Sequence, residues 1–187
     1  MNTDLVTVVI PTIPPRRELL GQAVVSTLNQ TLPPVALSVA VDTQREGVWA
    51  TRQRALDAVH TPWVAFLDDD DLWYDHHLAT LLGLARDHQA DFTYSWFDGN
   101  NPFPMHRGRQ MDPADPHHTT MTVLVRTALA KEVGFRPHAD ANPEWPGEDW
   151  NFIQGCVASG ARFAGTSEVT WLYRLWSGNT SGMPTRW

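Results

Sequence analysis

Residues 63–73 read Trp-Val-Ala-Phe-Leu-Asp-Asp-Asp-Asp-Leu-Trp. The first part, Trp63–Leu67, is a continuous apolar run, which is typical of a strand buried on both faces. It leads directly into four adjacent acids, Asp68–Asp71. One or two acids would suit the start of a helix, but four carboxylates repel one another unless a cation compensates them. Because a divalent ion prefers carboxylate oxygens, this stretch predicts a metal site at a strand end.

The sequence around this stretch alternates between strand and helix patterns. Apolar, β-branched runs predict the strands, and apolar residues at helical spacing predict the helices. In chain order the predicted elements are a strand Leu5–Ile10, a helix Glu18–Leu28, a strand Ala36–Val41, a helix Trp49–Val59, the strand Trp63–Leu67, a helix His76–His88 and a strand Phe92–Trp96. This alternation predicts an α/β fold with a mostly parallel sheet flanked by helices.

Polar residues follow three of the predicted strands. They are Pro11-Thr12, Asp42 and Asp68–Asp71. In open parallel sheets, ligands bind beyond the carboxyl ends of the strands, so we expect these three positions to meet at one edge. Arg52 and Arg54 lie on a predicted helix that faces the acids, although both also fit simple surface charges.

The second half of the chain contains longer irregular segments, at 97–118 and 137–147. Long loops inside a compact domain often carry function. The elements predicted here are a strand Met121–Val125, a helix Thr127–Val133, a helix Glu148–Ser159 and a strand Val169–Leu175. Glu148 and Asp149 open a helix, so they suit either the helix dipole or a general base opposite the metal site. Trp145 and Trp150 flank this pair and could wall a sugar subsite.

Length and composition limit the class of protein. The 187 residues suit one domain, 1–187, and the formal net charge of −7 argues against non-specific binding to nucleic acid. Cys156 is the single cysteine, so the chain cannot form an internal disulfide. The sequence has neither a signal-peptide pattern nor an apolar run near the roughly 18 residues of a transmembrane segment. We therefore expect a cytoplasmic protein.

The chain resembles a family 2 glycosyltransferase of the GT-A (Rossmann-like) fold over roughly residues 5–182. Phe66–Trp73 is close to the family's Asp-x-Asp signature, and Gly147–Trp150 is close to its Glu-Asp-Trp segment. These two matches are the specific ones. Shorter matches follow in family order, at Val8–Thr12, Leu28–Thr31, Asp42, Gly47, Arg52-Gln53, Val133–Phe135, Tyr173–Leu175 and Gly178–Ser181.

The resemblance implies transfer of a sugar, with inversion, from a nucleotide-diphosphate donor to an acceptor hydroxyl, with Mn²⁺ or Mg²⁺ as cofactor. Asp149 would be the catalytic base beside Glu148, and Asp70 the principal metal ligand, helped by Asp68. Residues 1–96 would form the nucleotide-binding half, and residues 97–187 the half with the acceptor site and the base. The implied nucleotide-binding residues are Pro11, Thr12, Ile13, Arg16, Asp42, Arg52, Asp68 and Asp69. The remaining acid, Asp71, is expected to cap the following helix.

The chain departs from the family pattern at three points. Ile13 stands where the family often has an aromatic residue that stacks on the base. Trp176 stands where the family often has a histidine metal ligand, so diphosphate, water or an earlier side chain would complete the metal site. His117 and His118 are the nearest candidates for that role or for the acceptor site. The chain is also short, so its acceptor part is small or comes from a second subunit, as in a homo-oligomer.

Other classes of function stay open. A nucleotidyltransferase would usually have a glycine-rich first loop, and residues 11–17 contain no glycine. A non-catalytic module that binds nucleotide-sugar or carbohydrate would fit the nine tryptophans. An acidic scaffold has little reason to gather acids at strand ends, and EF-hand spacing fails because Trp73 and Ala79 stand where Gly and Glu are needed. The sugar, the base and the acceptor (polysaccharide, lipid carrier, protein or modified nucleic acid) are not specified by the sequence.

Overall fold

The structure is a computed structural model that describes residues 4–99, 112, 121–137 and 147–174. Every strand and helix predicted from the sequence is present. The strands are β1 (Val6–Thr12), β2 (Ala36–Val41), β3 (Trp63–Phe66), β4 (Leu72–Trp73), β5 (Phe92–Gly99), β6 (Val123–Arg126) and β7 (Phe163–Tyr173). The helices are α1 (Arg17–Leu28), α2 (Val48–Asp57), α3 (His77–Asp87), α4 (Thr127–Val133) and α5 (Glu148–Ala158), and a short 3₁₀ helix (Pro14–Arg16) precedes α1.

One sheet connects both halves of the described chain. Its strand order is β2-β1-β3-β6-β5-β7-β4. Strands β1, β2 and β3 are parallel, and β6 pairs antiparallel with both β3 and β5. Because β7 is parallel to β5 and antiparallel to β4, only β6 and β4 of the described strands oppose the others. The prediction of an α/β fold with a mostly parallel sheet is therefore confirmed.

The buried strands divide their side chains between two hydrophobic cores. In β3, Val64 and Phe66 face the core that α2, α4 and α5 cover, whereas Ala65 faces the core under α1 and α3. All three are fully buried. Because successive side chains of a strand point to opposite faces, a strand covered on both sides needs apolar residues throughout. This requirement explains the continuous apolar run that precedes the acids.

Strand β7 begins at Phe163, six residues earlier than the apolar pattern predicts. The early part contains Gly165, and a Cβ at this position would collide with the ring of Tyr94 on β5. Glycine is required here because the two strands approach closely around a large aromatic side chain. Because this segment contains small and polar residues, the hydrophobicity pattern does not predict the first part of the strand.

The segment after the four acids differs from the prediction. It forms the short strand β4, which pairs with the end of β7, before α3 begins at His77. The prediction that Asp71 caps the next helix is therefore wrong, because β4 separates the two. Among the described helices, none has the length and apolar character that crossing a membrane requires.

Candidate active site

The carboxyl ends of β1, β2 and β3 meet at one edge of the sheet, as predicted. The backbone N–H of Asp42 donates to the carbonyl of Thr12 at 2.8 Å. The hydroxyl of Thr12 donates to Asp69 Oδ2 at 2.6 Å. Pro11 and Thr12 are buried, and Ile13 is half-buried. The edge therefore brings together residues 57 positions apart in the chain.

Arg16 neutralises the middle of the acidic stretch. Its Nη1 lies 2.8 Å from Asp69 Oδ1 and 3.1 Å from Asp70 Oδ2. Burial raises the pKa of Asp69, although the hydrogen bond from Thr12 and the charge of Arg16 act in the opposite direction. The pKa of Arg16 is also raised, because Asp70 and Asp69 together outweigh the effect of its own burial. Arg16 thus serves as an internal counter-cation for two of the four acids.

Asp71 is held by Arg174, directly after β7. Asp71 Oδ1 accepts the backbone N–H of Arg174 at 3.0 Å, and the Arg174 side chain donates to the carbonyl of Asp70. Burial, reinforced by the charge of Asp68, raises the pKa of Asp71 to about 9. Asp71 therefore carries a proton at neutral pH and adds no negative charge to the edge. Sequence reasoning assigned no role to Arg174, because its partners lie about a hundred residues away.

Asp42 organises the loop between β2 and α2. Its Oδ1 accepts the backbone N–H groups of Gln44 and Glu46 at 3.2 and 3.0 Å, and its Oδ2 accepts that of Gly47 at 2.9 Å. Gly47 has a φ of 94°, a conformation that glycine adopts easily, and it directly precedes α2. These contacts fix where α2 starts. A nucleotide contact by Asp42 stays a prediction.

Arg52 of α2 forms the centre of a group of charges that we call the Arg52 cluster, made of Arg52, Asp68, Glu148 and Asp149. Its Nη2 donates to Asp68 Oδ1 at 2.6 Å. Its Nη1 donates to Glu148 Oε1 and to Asp149 Oδ1, both at 2.9 Å. The Arg52 side chain is 1% exposed, whereas those of Asp68 and Asp149 are 33% and 29% exposed. The cluster therefore has a buried cation and a rim of accessible carboxylates.

The two arginines of α2 have different surroundings. Arg54 is half-exposed and pairs with Glu46 at 2.6 Å, so the interpretation as a simple surface charge holds for it. Arg52 instead faces the acids. Its burial disfavours the charged form, but Asp68, Asp149 and Glu148 outweigh that effect and raise its pKa. Arg52 is therefore a permanent cation at this edge of the sheet.

Glu148 and Asp149 have different proton affinities although they are adjacent at the start of α5. Burial and the neighbouring charge of Glu148 raise the pKa of Asp149 well above its usual value. The pKa of Glu148 is lowered, because the charge of Arg52 outweighs the effect of burial. Asp149 is therefore the member of the pair with the higher affinity for a proton, which suits a general base.

Three phenylalanine rings pack together next to the Arg52 cluster. Phe135 and Phe152 stack at 4.5 Å, and both contact the ring of Phe66 edge-on. The guanidinium carbon of Arg52 lies 5.3 Å from the centre of the Phe135 ring. Gln53 accepts the backbone N–H of Phe135 at 2.7 Å. Helix α2 thus anchors the segment after α4 as well as the start of α5.

The carboxylates fit a hard divalent cation only in part. Their oxygens are the donors that Mn²⁺ and Mg²⁺ prefer, and Asp68 is accessible. Asp70 is 10% exposed, with one oxygen engaged by Arg16. Within the described residues, no three acidic, histidine or cysteine side chains form a group that could hold a metal ion alone. A metal here would need further oxygen ligands from a bound diphosphate and water.

Several predicted site residues lie outside the described residues. They are His117, His118 and Trp145, and Trp176, which stands at the family's histidine position, also lies outside. Trp150 is described and half-buried, and it packs against the core that α2, α4 and α5 cover. Its proposed contact with a sugar stays a prediction.

Comparisons with known proteins agree with the fold. Residues 36–157, more than half of the chain, match the model of the family described as Glycosyl transferase family 2. The structure resembles S. aureus TarS 1-349 in complex with UDP-GlcNAc, with a TM-score of 0.77, 16% identity, and coverage of 96% of this chain and 61% of that chain. It also resembles the mannosyltransferase PcManGT from Pyrobaculum calidifontis in complex with GDP-Man and Mn²⁺, with a TM-score of 0.72, 16% identity, and coverage of 92% and 57%. The chain spans about three-fifths of the length of these structures. No curated protein sequence matches it.

Proposed function

The chain belongs to glycosyltransferase family 2, and on that basis we propose that it transfers a sugar from a nucleotide-diphosphate donor to an acceptor hydroxyl. The observation that carries the proposal is the Arg52 cluster. It connects Asp68, in the Asp-x-Asp stretch, to Asp149, the proposed base, through one buried guanidinium. Residues from both halves of the chain therefore converge beyond the carboxyl ends of the strands, where α/β proteins bind ligands.

Asp149 is the proposed general base. It takes the proton of the acceptor hydroxyl while the acceptor oxygen attacks C1 of the sugar, and the bond from C1 to the diphosphate breaks. Attack from the face opposite the diphosphate inverts the anomeric centre. The position of Asp149 supports this role, because its carboxylate is held by Arg52 and is 29% exposed, and the burial that raises its pKa makes the ionised form a stronger base than an ordinary carboxylate.

The nucleotide half of the proposal rests on residues 1–96. The proposed donor edge consists of Pro11, Thr12, Asp42, Asp68 and Asp69. Ile13 directly follows β1, and Arg16 ends the short 3₁₀ helix after it. Asp70 and Asp68 would hold Mn²⁺ or Mg²⁺, which when bound would offset the charge of the leaving diphosphate. The TarS and PcManGT structures contain UDP-GlcNAc and GDP-Man, so UDP- and GDP-sugars are the first donors to test.

The remaining parts of the proposal concern the acceptor and the location. Residues 97–187 would carry the acceptor site, with Trp145 and Trp150 at the sugar and His117 and His118 as further candidates. A homo-oligomer, in which a second subunit contributes to the acceptor site, is also part of the proposal. The single, buried Cys156 supports the proposal of a reducing, cytoplasmic location.

A thermal-shift screen tests the donor. UDP, GDP and TDP are each added with MnCl₂ or with EDTA. We expect one nucleotide with Mn²⁺, at about 100 times its Kd, to raise the Tm by about 5 °C or more. An equal shift in EDTA would contradict the metal assignment, and no shift with any nucleotide would contradict the function.

Release of the nucleoside diphosphate from the matching UDP-, GDP- or TDP-sugars then tests the base. Asp149→Asn should lower the rate of release about 10²–10⁴-fold and leave the thermal shift unchanged. Asp87→Asn, an exposed change on α3, is the control. If nucleotide binds but neither protein releases diphosphate, the chain is a binding module. If wild type and Asp149→Asn release diphosphate at the same rate, the enzyme uses another base. A preference for nucleoside triphosphates would favour a nucleotidyltransferase.

A further inference from the structure

Both terminal nitrogens of Arg52 are directed at protein carboxylates. Nη2 binds Asp68 at 2.6 Å, and Nη1 binds Glu148 and Asp149 at 2.9 Å. The third nitrogen, Nε, is buried without a hydrogen-bond partner among the described residues. With a side chain that is 1% exposed, Arg52 presents no N–H group to a ligand at this edge.

We propose that Arg52 is a positioning residue that holds Asp149 at a fixed place relative to Asp68, instead of a residue that contacts the nucleotide. The inference rests on the proposed function, in which Asp68 lies at the donor and Asp149 at the acceptor hydroxyl. It reassigns Arg52, which the family resemblance puts among the nucleotide-binding residues.

The geometry of a guanidinium explains why arginine suits this place. Its planar fork directs two N–H groups along separate lines, so it can hold two carboxylates at a set separation and orientation. Phe135 lies 5.3 Å from the guanidinium carbon, which restricts its movement on one side. Without the cation, the carboxylates of Glu148, Asp149 and Asp68 would repel one another. Helix α5 would also lose its ion pairs to α2, which are the only ones between these helices among the described residues.

The position of the base matters because proton transfer depends on short distances. A displacement of about 1 Å between reacting groups can lower a rate about 10²-fold. Arg52 joins segments separated by 16 and 97 residues, so it sets a distance that neither segment sets alone. Arg16 has a different place, since it is bound to Asp69 and Asp70, on the donor side of the edge.

The variant Arg52→Lys tests the inference because it keeps the charge but lacks the planar fork. The donor is the sugar nucleotide whose diphosphate binds in the thermal-shift screen. We expect kcat to fall about 10²-fold, while the Kd for UDP or GDP with Mn²⁺ stays within about threefold of wild type. Arg54→Lys, on the same helix but half-exposed, should change neither quantity.

The opposite pattern overturns the inference. If Arg52→Lys weakens UDP or GDP binding tenfold or more with kcat preserved, Arg52 contacts the nucleotide. If neither quantity changes, Arg52 does not position the base. Circular dichroism of each variant at the assay temperature establishes that it is folded.

A crystal structure of wild type with UDP or GDP and Mn²⁺ tests the role of Arg52 even if Arg52→Lys does not fold. We expect Arg52 to keep its hydrogen bonds to Asp68 and Asp149, and any guanidinium nitrogen within 3.5 Å of the nucleotide would refute the inference. If wild type binds none of the nucleotides, the proposed function itself fails. If it binds one and Arg52 touches it, only the assignment of Arg52 fails.

Discussion

Two groups of buried polar side chains in this molecule offset the cost of burying polar atoms in different ways. The Arg52 cluster lies at the carboxyl edge and uses full charges, with carboxylates that are 20–33% exposed. The second group, which we call the Thr170 cluster, consists of His77, Ser95 and Thr170, and each of them is 0% exposed. Thr170 Oγ1 lies 2.6 Å from His77 Nδ1 and 2.5 Å from Ser95 Oγ.

The difference follows from access to water. A charge is costly to bury unless paired, and the Arg52 cluster places its cation inside while leaving its carboxylates partly hydrated. The Thr170 cluster, between α3 and strands β5 and β7, has no contact with water, so neutral groups with hydrogen bonds suit it better. A charged group with an accessible rim can meet a ligand, whereas a neutral, enclosed group can only hold elements together.

The largest expected effect comes from removing the cation of the Arg52 cluster. Arg52→Met leaves three carboxylates without their buried partner, so we expect the free energy of unfolding to fall by about 3–5 kcal/mol. Urea denaturation measures this change. Arg54→Met removes a half-exposed partner of Glu46 and should cost at most about 1 kcal/mol. Equal losses in the two variants would show that burial does not distinguish these arginines.

The second prediction concerns the protonation of His77. Burial, helped by the nearby charge of His76, lowers the pKa of His77 from 6.5 to about 3. Between these values the unfolded chain binds a proton that the folded protein excludes, so stability rises with pH over this window. The stability that depends on neutral His77 is fully present above about pH 6.5, and it falls as the pH decreases below that value. At pH 5 the loss is about 2 kcal/mol relative to pH 7.

Urea denaturation of wild type and His77→Gln at pH 5 and pH 7 isolates this term. Other groups also titrate, so the quantity to compare is the change in unfolding free energy between the two pH values. This change should be about 2 kcal/mol smaller in His77→Gln. His88→Gln, at an exposed position, should behave like wild type. Identical pH dependence in wild type and His77→Gln would mean that folding does not lower the pKa of His77.

The sequence predicts the two clusters unequally. The position of Asp68 at a strand end follows from a local pattern, because the apolar run of β3 and the acids after it are contiguous. The positions of Glu148 and Asp149 beside Arg52 do not follow from a local pattern. These partners lie 96 and 97 residues away, and their positions depend on how α5 packs on the sheet. The residues alone gave Glu148 and Asp149 two interpretations, the charged start of a helix or a general base opposite the acids, and the family resemblance favoured the second.

The Thr170 cluster left no signal that could predict it. Threonine and serine are common in strands with one solvated face, so Ser95 and Thr170 read as ordinary strand residues. His77 lies in a helix beside Trp73, with which it stacks at 4.4 Å, and a single histidine in a helix is uninformative. Pairing of β5 with β7 brings Ser95 and Thr170 together, and that pairing passes through an irregular register. Register is a tertiary property, and local propensity does not determine it.

The smallest of these effects tests whether the neutral cluster works through its hydrogen bonds. Thr170→Val keeps the shape of the side chain but leaves Ser95 Oγ and His77 Nδ1 without a buried partner. We expect a loss of roughly 1 to 2 kcal/mol in the free energy of unfolding, since unsatisfied buried polar atoms are costly. Thr31→Val removes an exposed hydrogen bond to the carbonyl of Asp75 and should cost less than about 0.5 kcal/mol. If Thr170→Val is neutral, shape alone holds α3 to the sheet. The two clusters would then differ in purpose as well as in charge, because only the charged one would depend on its polar contacts.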